Sequence, residues 1–188
     1  MMRDKLNFWL WRCTIFFYIY VFATATIMYS TGHKSIKPSH VEKDYTVLTG
    51  VPSVSQESID KAIANFEIQI PILTLHPKLD TSMESDHMGE AYPILLFNIC
   101  VPSIGPRAFK SWSTLGAILA HEVEVHCNQN AWKTLIDKVL GNDATPKLER
   151  EAYMYMITDS KRFHLTEDEI NNILYVVAYF YPAGDKNE

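Results

Sequence analysis

Two histidines five residues apart lie inside the most regular helical pattern of this sequence, and their spacing constrains how the central segment folds. His121 and His126 stand in a run that is otherwise apolar or acidic, with Glu122 directly after the first histidine. Apolar residues at helical spacing predict one helix over residues 113–140. On an ideal helix, positions five apart are separated by about 140°, whereas positions four apart share a face. The two imidazoles therefore meet only if one turn contains an extra residue, as in a π-bulge.

The residue types in this run are those of a hydrolytic zinc site. Such a site uses three protein ligands, keeps one position for water, and has a carboxylate nearby to take a proton. His121 and His126 are candidate ligands, and Glu122 is the candidate base. The alternative is that these are ordinary surface or core histidines, since the chain has seven of them.

Length and charge limit the classes of protein to which this chain can belong. The 188 residues are 47% hydrophobic, enough for one domain with a core. A formal net charge of −5 argues against a nucleic-acid partner, because phosphate binding needs clustered lysine and arginine.

Residues 1–32 predict a membrane anchor or a signal sequence. No charged residue occurs from Cys13 to Gly32, and the apolar stretch approaches the roughly 20 residues that a transmembrane helix needs. A single-pass anchor is favoured because the apolar run continues past Ala25, with the domain on the exported side. The alternative is secretion after signal cleavage near Ala25. Residues 33–52 then form a linker, and residues 53–188 form the folded domain.

The first half of this domain predicts one helix and a small sheet. Helical spacing of apolar residues indicates a helix over residues 54–66. Residues 67–75 alternate like a strand, residues 76–92 are polar like a loop, and residues 92–101 form a buried strand candidate that ends at Pro102.

The second half predicts three helices, so the fold class is α+β and mainly helical, with strands before the histidine helix. After that helix, Thr145 as N-cap and Pro146 at the first helical position begin the second helix. Thr166 and Glu169 form a capping box that begins the third.

Cys100 and Cys127 flank the histidine segment. In an exported domain they can form one disulfide; free, buried thiols are the alternative. Because Cys127 follows His126, its sulfur is also a further candidate metal contact.

Residues 120–126, followed by residues 148–153, resemble the zincin metallopeptidases of the gluzincin type. There a glutamate on a later helix is the third ligand, often within Glu-x-x-Ala-Asp, and here Tyr153 replaces the aspartate. The wide spacing is similar to His-Glu-x-x-Gly-His of the dipeptidyl peptidase III family, with Val125 in place of its glycine. The resemblance covers about residues 92–165.

The resemblance implies a Zn²⁺ ion bound by His121, His126 and Glu149. Helical angles place Glu149 and Glu151 equally near the buried face of their helix, so Glu151 is the alternative third ligand. The resemblance also implies a zincin-like fold with an edge strand over residues 94–101 beside the metal.

The implied function is that of a membrane-anchored or exported zinc metallopeptidase acting on peptides or proteins. Zinc and Glu122 would activate water, and Tyr153, Tyr155 or His164 would steady the oxyanion. One alternative is a non-catalytic, membrane-tethered binding or structural protein that retains the zincin-like fold. Another is an immunity-like partner whose acidity suits a basic target.

Overall fold

The computed structural model describes residues 11–20, 22–23, 44–84, 86–95 and 99–183. Residues 11–20 and 22–23 are helical. No helix among the described residues is both long and apolar enough to cross a lipid bilayer. The anchor or signal sequence predicted over residues 1–32 lies largely outside these residues, as does much of the linker predicted over residues 33–52, and both stay predictions.

From residue 44 onward, the described residues form an α+β domain that is mainly helical, which confirms this part of the predicted fold class. The helices are α1 (Gln56–Asn65), α2 (Trp112–Leu119), α3 (Ala131–Val139), α4 (Thr145–Thr158), α5 (Ser160–Phe163) and α6 (Glu167–Phe180). The strands are β1 (Lys78–Leu79), β2 (Gly89–Ile94) and β3 (Ile99–Ile104). Short 3₁₀ turns cover Pro106–Lys110 and His126–Asn128.

The strands form one sheet in the order β1-β3-β2. β1 pairs with β3 in parallel, and β2 pairs with β3 in antiparallel register from Gly89 opposite Ile104 to Ile94 opposite Ile99. Among the described residues, no strand pairs with the other side of β2. The sheet precedes the histidine segment along the chain, as expected.

The predicted strand over residues 92–101 is wrong as a single element. Its first residues belong to β2 and its last to β3, which continues through Pro102 to Ile104. The two strands pair antiparallel, yet the sequence between them, residues 95–98, is apolar except for Asn98 and contains no glycine or proline, so the pattern concealed a hairpin. Residues 67–75 form no strand either, and only Thr74 bridges to Cys100. β1 and the start of β2 fall in the predicted loop.

The core packs α1 and its C-terminal Phe66 against α2. The Phe66 ring lies so close to Gly116 that a Cβ there would sit 2.4 Å from its Cδ2 atom. Phe66 also meets Phe163 edge to face, with ring centroids 5.7 Å apart. Gly116 therefore permits the contact that positions α2, the helix leading into the histidine segment.

The predicted continuous helix over residues 113–140 is interrupted. α2 ends at Leu119, a π-helical segment and a 3₁₀ turn follow, and Gln129 is extended. The side chain of Asn130 then accepts a hydrogen bond from the Lys133 N–H and begins a new helix, α3. Residues 128–130 are polar, Asn-Gln-Asn, and Asn130 is a favoured N-cap residue, so the sequence did contain a local signal for this break that the predicted continuous helix overlooked.

The starts of the last two long helices agree closely with the sequence. The capping box of Thr166 and Glu169 is present at α6, which confirms that prediction. In α4 the N-cap is Ala144, so Thr145 is the first helical residue instead of the cap, and Pro146 lies in the first turn.

A disulfide joins Cys100 of β3 to Cys127, with their Cα atoms 5.3 Å apart. It ties the central strand to the 3₁₀ turn that begins with His126. Of the alternatives that the sequence left open, the structure therefore has the disulfide, and the Cys127 sulfur is committed to it instead of to a metal.

We expect Cys100→Ser to lower the free energy of unfolding by about 3–4 kcal/mol, because the unfolded chain regains the conformational entropy that the disulfide removes across a sequence separation of 27 residues. Urea unfolding of the oxidised protein measures it. The control is Cys13→Ser, because Cys13 is exposed and unpaired. Equal stability of Cys100→Ser and the parent protein would contradict a stabilising role for the disulfide.

Candidate metal centre

The chain absorbs the extra residue between the histidines in a π-helical segment, Ala120–Val125, called here the widened turn. At its end the His126 N–H donates to the carbonyl oxygen of His121, five residues back, and to that of Glu122. This longer hydrogen-bonded step adds one residue to the turn and brings both imidazoles to one face. The extra residue in one turn that the five-residue spacing of the histidines requires is therefore present.

Three side-chain donors converge at this face. The Nε2 atoms of His121 and His126 are 3.0 Å apart. Glu149 of α4 places Oε2 3.5 Å from His121 Nε2 and Oε1 3.3 Å from His126 Nε2. Ligand atoms at about 2.0–2.1 Å from a tetrahedral zinc ion are about 3.3–3.4 Å apart. The nitrogen and carboxylate donors thus have the type and the approximate spacing of a group that could hold a metal ion.

The structure brings Glu149, not Glu151, to the histidines. All three donor residues line one cleft, in which Glu151 takes no part among the described residues. Tyr153, one turn after Glu149, lays its ring against His121 with centroids 4.6 Å apart.

Burial and mutual contact set the charges of the three donors. Burial lowers the pKa of His121 to about 4, which keeps its ring neutral. Burial also acts to lower the pKa of His126, but the hydrogen bond to Glu149 and the charge of Glu122 outweigh it and raise that pKa to about 9. The Glu149 carboxyl is desolvated, yet contact with both histidines holds its pKa well below its usual range. The group therefore contains an anionic oxygen donor, as a cation site requires.

Glu122 lies against strand β2. A Cβ at Gly89 would sit 2.7 Å from Glu122 Cγ and 2.9 Å from its Oε1, so only glycine allows this approach. The Glu122 side chain is almost fully buried, and this burial raises its pKa to about 8. Strand β2 thus positions Glu122, the candidate base.

The donors and Glu122 open onto one cleft of about 1060 Å³. β2 forms one wall and the start of α6 contributes to another. The other residues that line the cleft include Gly89, Tyr92, Glu122, Tyr153 and Tyr181.

A second set of contacts holds Glu124, which is 2% exposed, on the core side of the widened turn. Arg162 donates from Nη2 to Oε1 and from Nη1 to Oε2, each at 2.8 Å. The Tyr155 hydroxyl donates to Oε2 at 2.9 Å, and the Gln69 backbone N–H to Oε1 at 2.7 Å. The buried carboxylate is thereby paired and hydrogen-bonded, as burial of a charge requires.

Arg162 links the widened turn to the end of α1. Besides Glu124, it donates from Nε to the Phe66 carbonyl at 2.7 Å and from Nη2 to the Glu67 carbonyl at 2.9 Å. A further bond of 3.2 Å joins Nη1 to Asp159. The sequence offered no signal for this cluster, because its members lie far apart along the chain.

The other predicted site residues are divided between cleft and core. Tyr153 lines the cleft, whereas Tyr155 donates to Glu124 in the core. His164 contacts the Tyr45 carbonyl through Nε2, at 3.0 Å, and is not part of the cleft wall among the described residues. Gln129, whose side chain contacts His126, was missed, although its position three residues after His126, inside the helix predicted over residues 113–140, was a usable signal.

Comparisons with protein-family models, curated proteins and solved structures found no match to this chain. The zincin resemblance thus rests on two short motifs, and the geometry of the donors is independent of it. The zincin assignment stays a prediction.

We expect Arg162→Met to lower the free energy of unfolding by about 3–5 kcal/mol, because it leaves the buried Glu124 carboxylate without its counter-charge. Adding Glu124→Leu should recover much of that loss. Urea unfolding measures both variants, with Lys133→Met, at an exposed lysine, as the control. A loss below about 1 kcal/mol in Arg162→Met would mean that the pair does not stabilise the domain.

Proposed function

We propose that this protein is a zinc-dependent metallopeptidase-like hydrolase of the zincin type. The observation that carries the proposal is the convergence of His121, His126 and Glu149, with donor atoms 3.0–3.5 Å apart, in a cleft that also contains Glu122. Two imidazoles and a carboxylate, with the cleft open beside them, are the ligand set of hydrolytic zinc sites.

Zinc bound by these side chains would polarise a substrate carbonyl and lower the pKa of water to about 7. Glu122 follows His121 directly and lines the same cleft. In its ionised form, Glu122 would accept the proton of the attacking water and return it to the leaving amine. Gly89 gives this carboxylate the room to lie against β2.

Tyr153 is the candidate for oxyanion stabilisation. It lines the cleft and packs against His121. Burial, together with the nearby Glu149 carboxylate, raises the pKa of its phenol, so the hydroxyl remains protonated and able to donate. A neutral donor beside the ligands suits the negative charge that develops on the substrate oxygen.

A peptide substrate in extended form would bind along β2. This strand lines the cleft and is paired on one side only among the described residues, so its other edge is open to strand addition. Pro93, which lacks an N–H, is compatible with an edge strand. The edge strand beside the site is therefore β2, and the expectation of an edge over residues 94–101 is wrong, because β3 lies in the middle of the sheet.

The proposal includes export or membrane anchoring of the domain. Its support is the uncharged, apolar sequence that follows Cys13. The disulfide between Cys100 and Cys127 agrees with it, since such bonds persist in oxidising compartments.

We expect the wild-type protein to bind one zinc ion, and His126→Ala and Glu149→Gln each to weaken zinc binding by more than about 100-fold, since each loses a ligand. Competition with a chromophoric chelator measures the affinity. Glu151→Gln, on the same helix, is the matched control and should retain wild-type affinity. Equal losses in Glu149→Gln and Glu151→Gln, or no zinc in the wild type, would contradict the proposed site.

We expect Glu122→Gln to lower the rate of peptide hydrolysis by about 10²–10⁴-fold, the usual contribution of a general base, with zinc still bound. Mass spectrometry of a mixed peptide library incubated with the zinc-loaded protein measures cleavage. Glu151→Gln again serves as the control. A wild type that binds zinc and cleaves no peptide would favour the non-catalytic binding or structural protein instead.

A further inference from the structure

One side chain spans the gap between the second histidine and the helix that carries Glu149. Gln129 lies directly after the 3₁₀ turn His126–Asn128. Its Oε1 is 2.7 Å from Nδ1 of His126, and its Nε2 donates to the carbonyl oxygen of Leu148 at 3.2 Å. Leu148 immediately precedes Glu149 on α4.

The contact with Leu148 determines which way the Gln129 amide faces. A backbone carbonyl only accepts hydrogen bonds, so the NH₂ group must face Leu148 and the amide oxygen must face His126. That oxygen also only accepts, so Nδ1 of His126 must carry a proton and donate it. Nε2, the atom that faces His121 and Glu149, is then the nitrogen whose lone pair becomes available to a metal ion when its own proton leaves.

The two histidines differ in this respect. His121 is 3% exposed, and its Nδ1 atom has no hydrogen-bond partner. Its ring is held by packing against Tyr153 instead. Among the described contacts, only the one with Gln129 is made through the Nδ1 atom of a donor imidazole, so it alone fixes the proton on the nitrogen that faces away from the site.

We propose that Gln129 is a positioning residue, which holds His126 in the orientation and tautomer that present Nε2 to a metal ion. The inference rests on the proposed metal site and deepens it. A polar partner on the far nitrogen of a metal-binding histidine contributes about 10–100-fold to metal affinity. Gln129 also joins two separate elements, since His126 follows the widened turn and Glu149 lies on α4.

The test compares zinc affinity in three variants. Gln129→Leu removes the acceptor and should weaken zinc binding by about 10–100-fold. Gln129→Glu retains an acceptor for Nδ1–H and should bind zinc within about threefold of the wild type, since a carboxylate also serves in this role. Gln69→Leu is the matched control, because that side chain donates to the Glu67 carbonyl and should leave zinc affinity unchanged.

Nitrogen-15 NMR of the histidine rings adds a readout that packing alone does not change. The wild type, with and without zinc, should show a protonated, hydrogen-bonded Nδ1 at His126, and Gln129→Leu should lose the protection of this proton from solvent exchange. Three results would each overturn the inference. They are wild-type zinc affinity in Gln129→Leu, equal losses of zinc affinity in Gln129→Leu and Gln129→Glu, and zinc bound to Nδ1 of His126. If Gln129→Leu fails to fold, the wild-type spectra and the zinc affinity of Gln129→Glu still test the inference. Absence of zinc binding by the wild type would contradict the proposed function, whereas the metal-free spectrum tests the Gln129 contact separately.

Discussion

The hydrogen bond from the His126 N–H to the His121 carbonyl is the interaction on which the site depends. It closes a turn one residue wider than an α-helical turn, and without it the two imidazoles would point about 140° apart. The same widening brings Glu122 to the cleft beside both histidines and leaves Glu124 facing the core. One local change in helix geometry thus divides four polar side chains between a cleft and a core.

The surrounding contacts stabilise this irregular turn from several directions. On the core side, Arg162 donates two hydrogen bonds to Glu124, and this bidentate pairing offsets the free-energy cost of burying the carboxylate. The disulfide to Cys127 ties the following turn to the sheet, and Gly89 brings β2 close to Glu122 on the cleft side. An irregular backbone conformation such as the widened turn persists when several surrounding contacts hold it in place. The buried Arg162–Glu124 pair and the residues of the cleft therefore lie on opposite sides of the same widened turn.

The sequence predicted the α+β, mainly helical class, the helix from Thr166 and, given one widened turn, the meeting of His121 with His126, because periodicity, caps and residue chemistry are local signals. Glu149 was named only through the family resemblance. The remaining features depend on contacts between segments that lie far apart in the sequence. The hairpin hidden in the apolar run depends on strand pairing, and the choice of Glu149 over Glu151 depends on how α4 packs, which equal helical angles cannot reveal. Arg162 pairs with a residue 38 positions away, and nothing in either neighbourhood identifies its partner.

X-ray absorption at the zinc edge of the protein loaded with one equivalent of zinc tests the central claim most directly. The widened turn predicts about four nitrogen or oxygen ligands at about 2.0–2.1 Å, with scattering from two imidazole rings. A shell with one imidazole or none, or with sulfur at about 2.3 Å, would show that His121 and His126 do not share the ion.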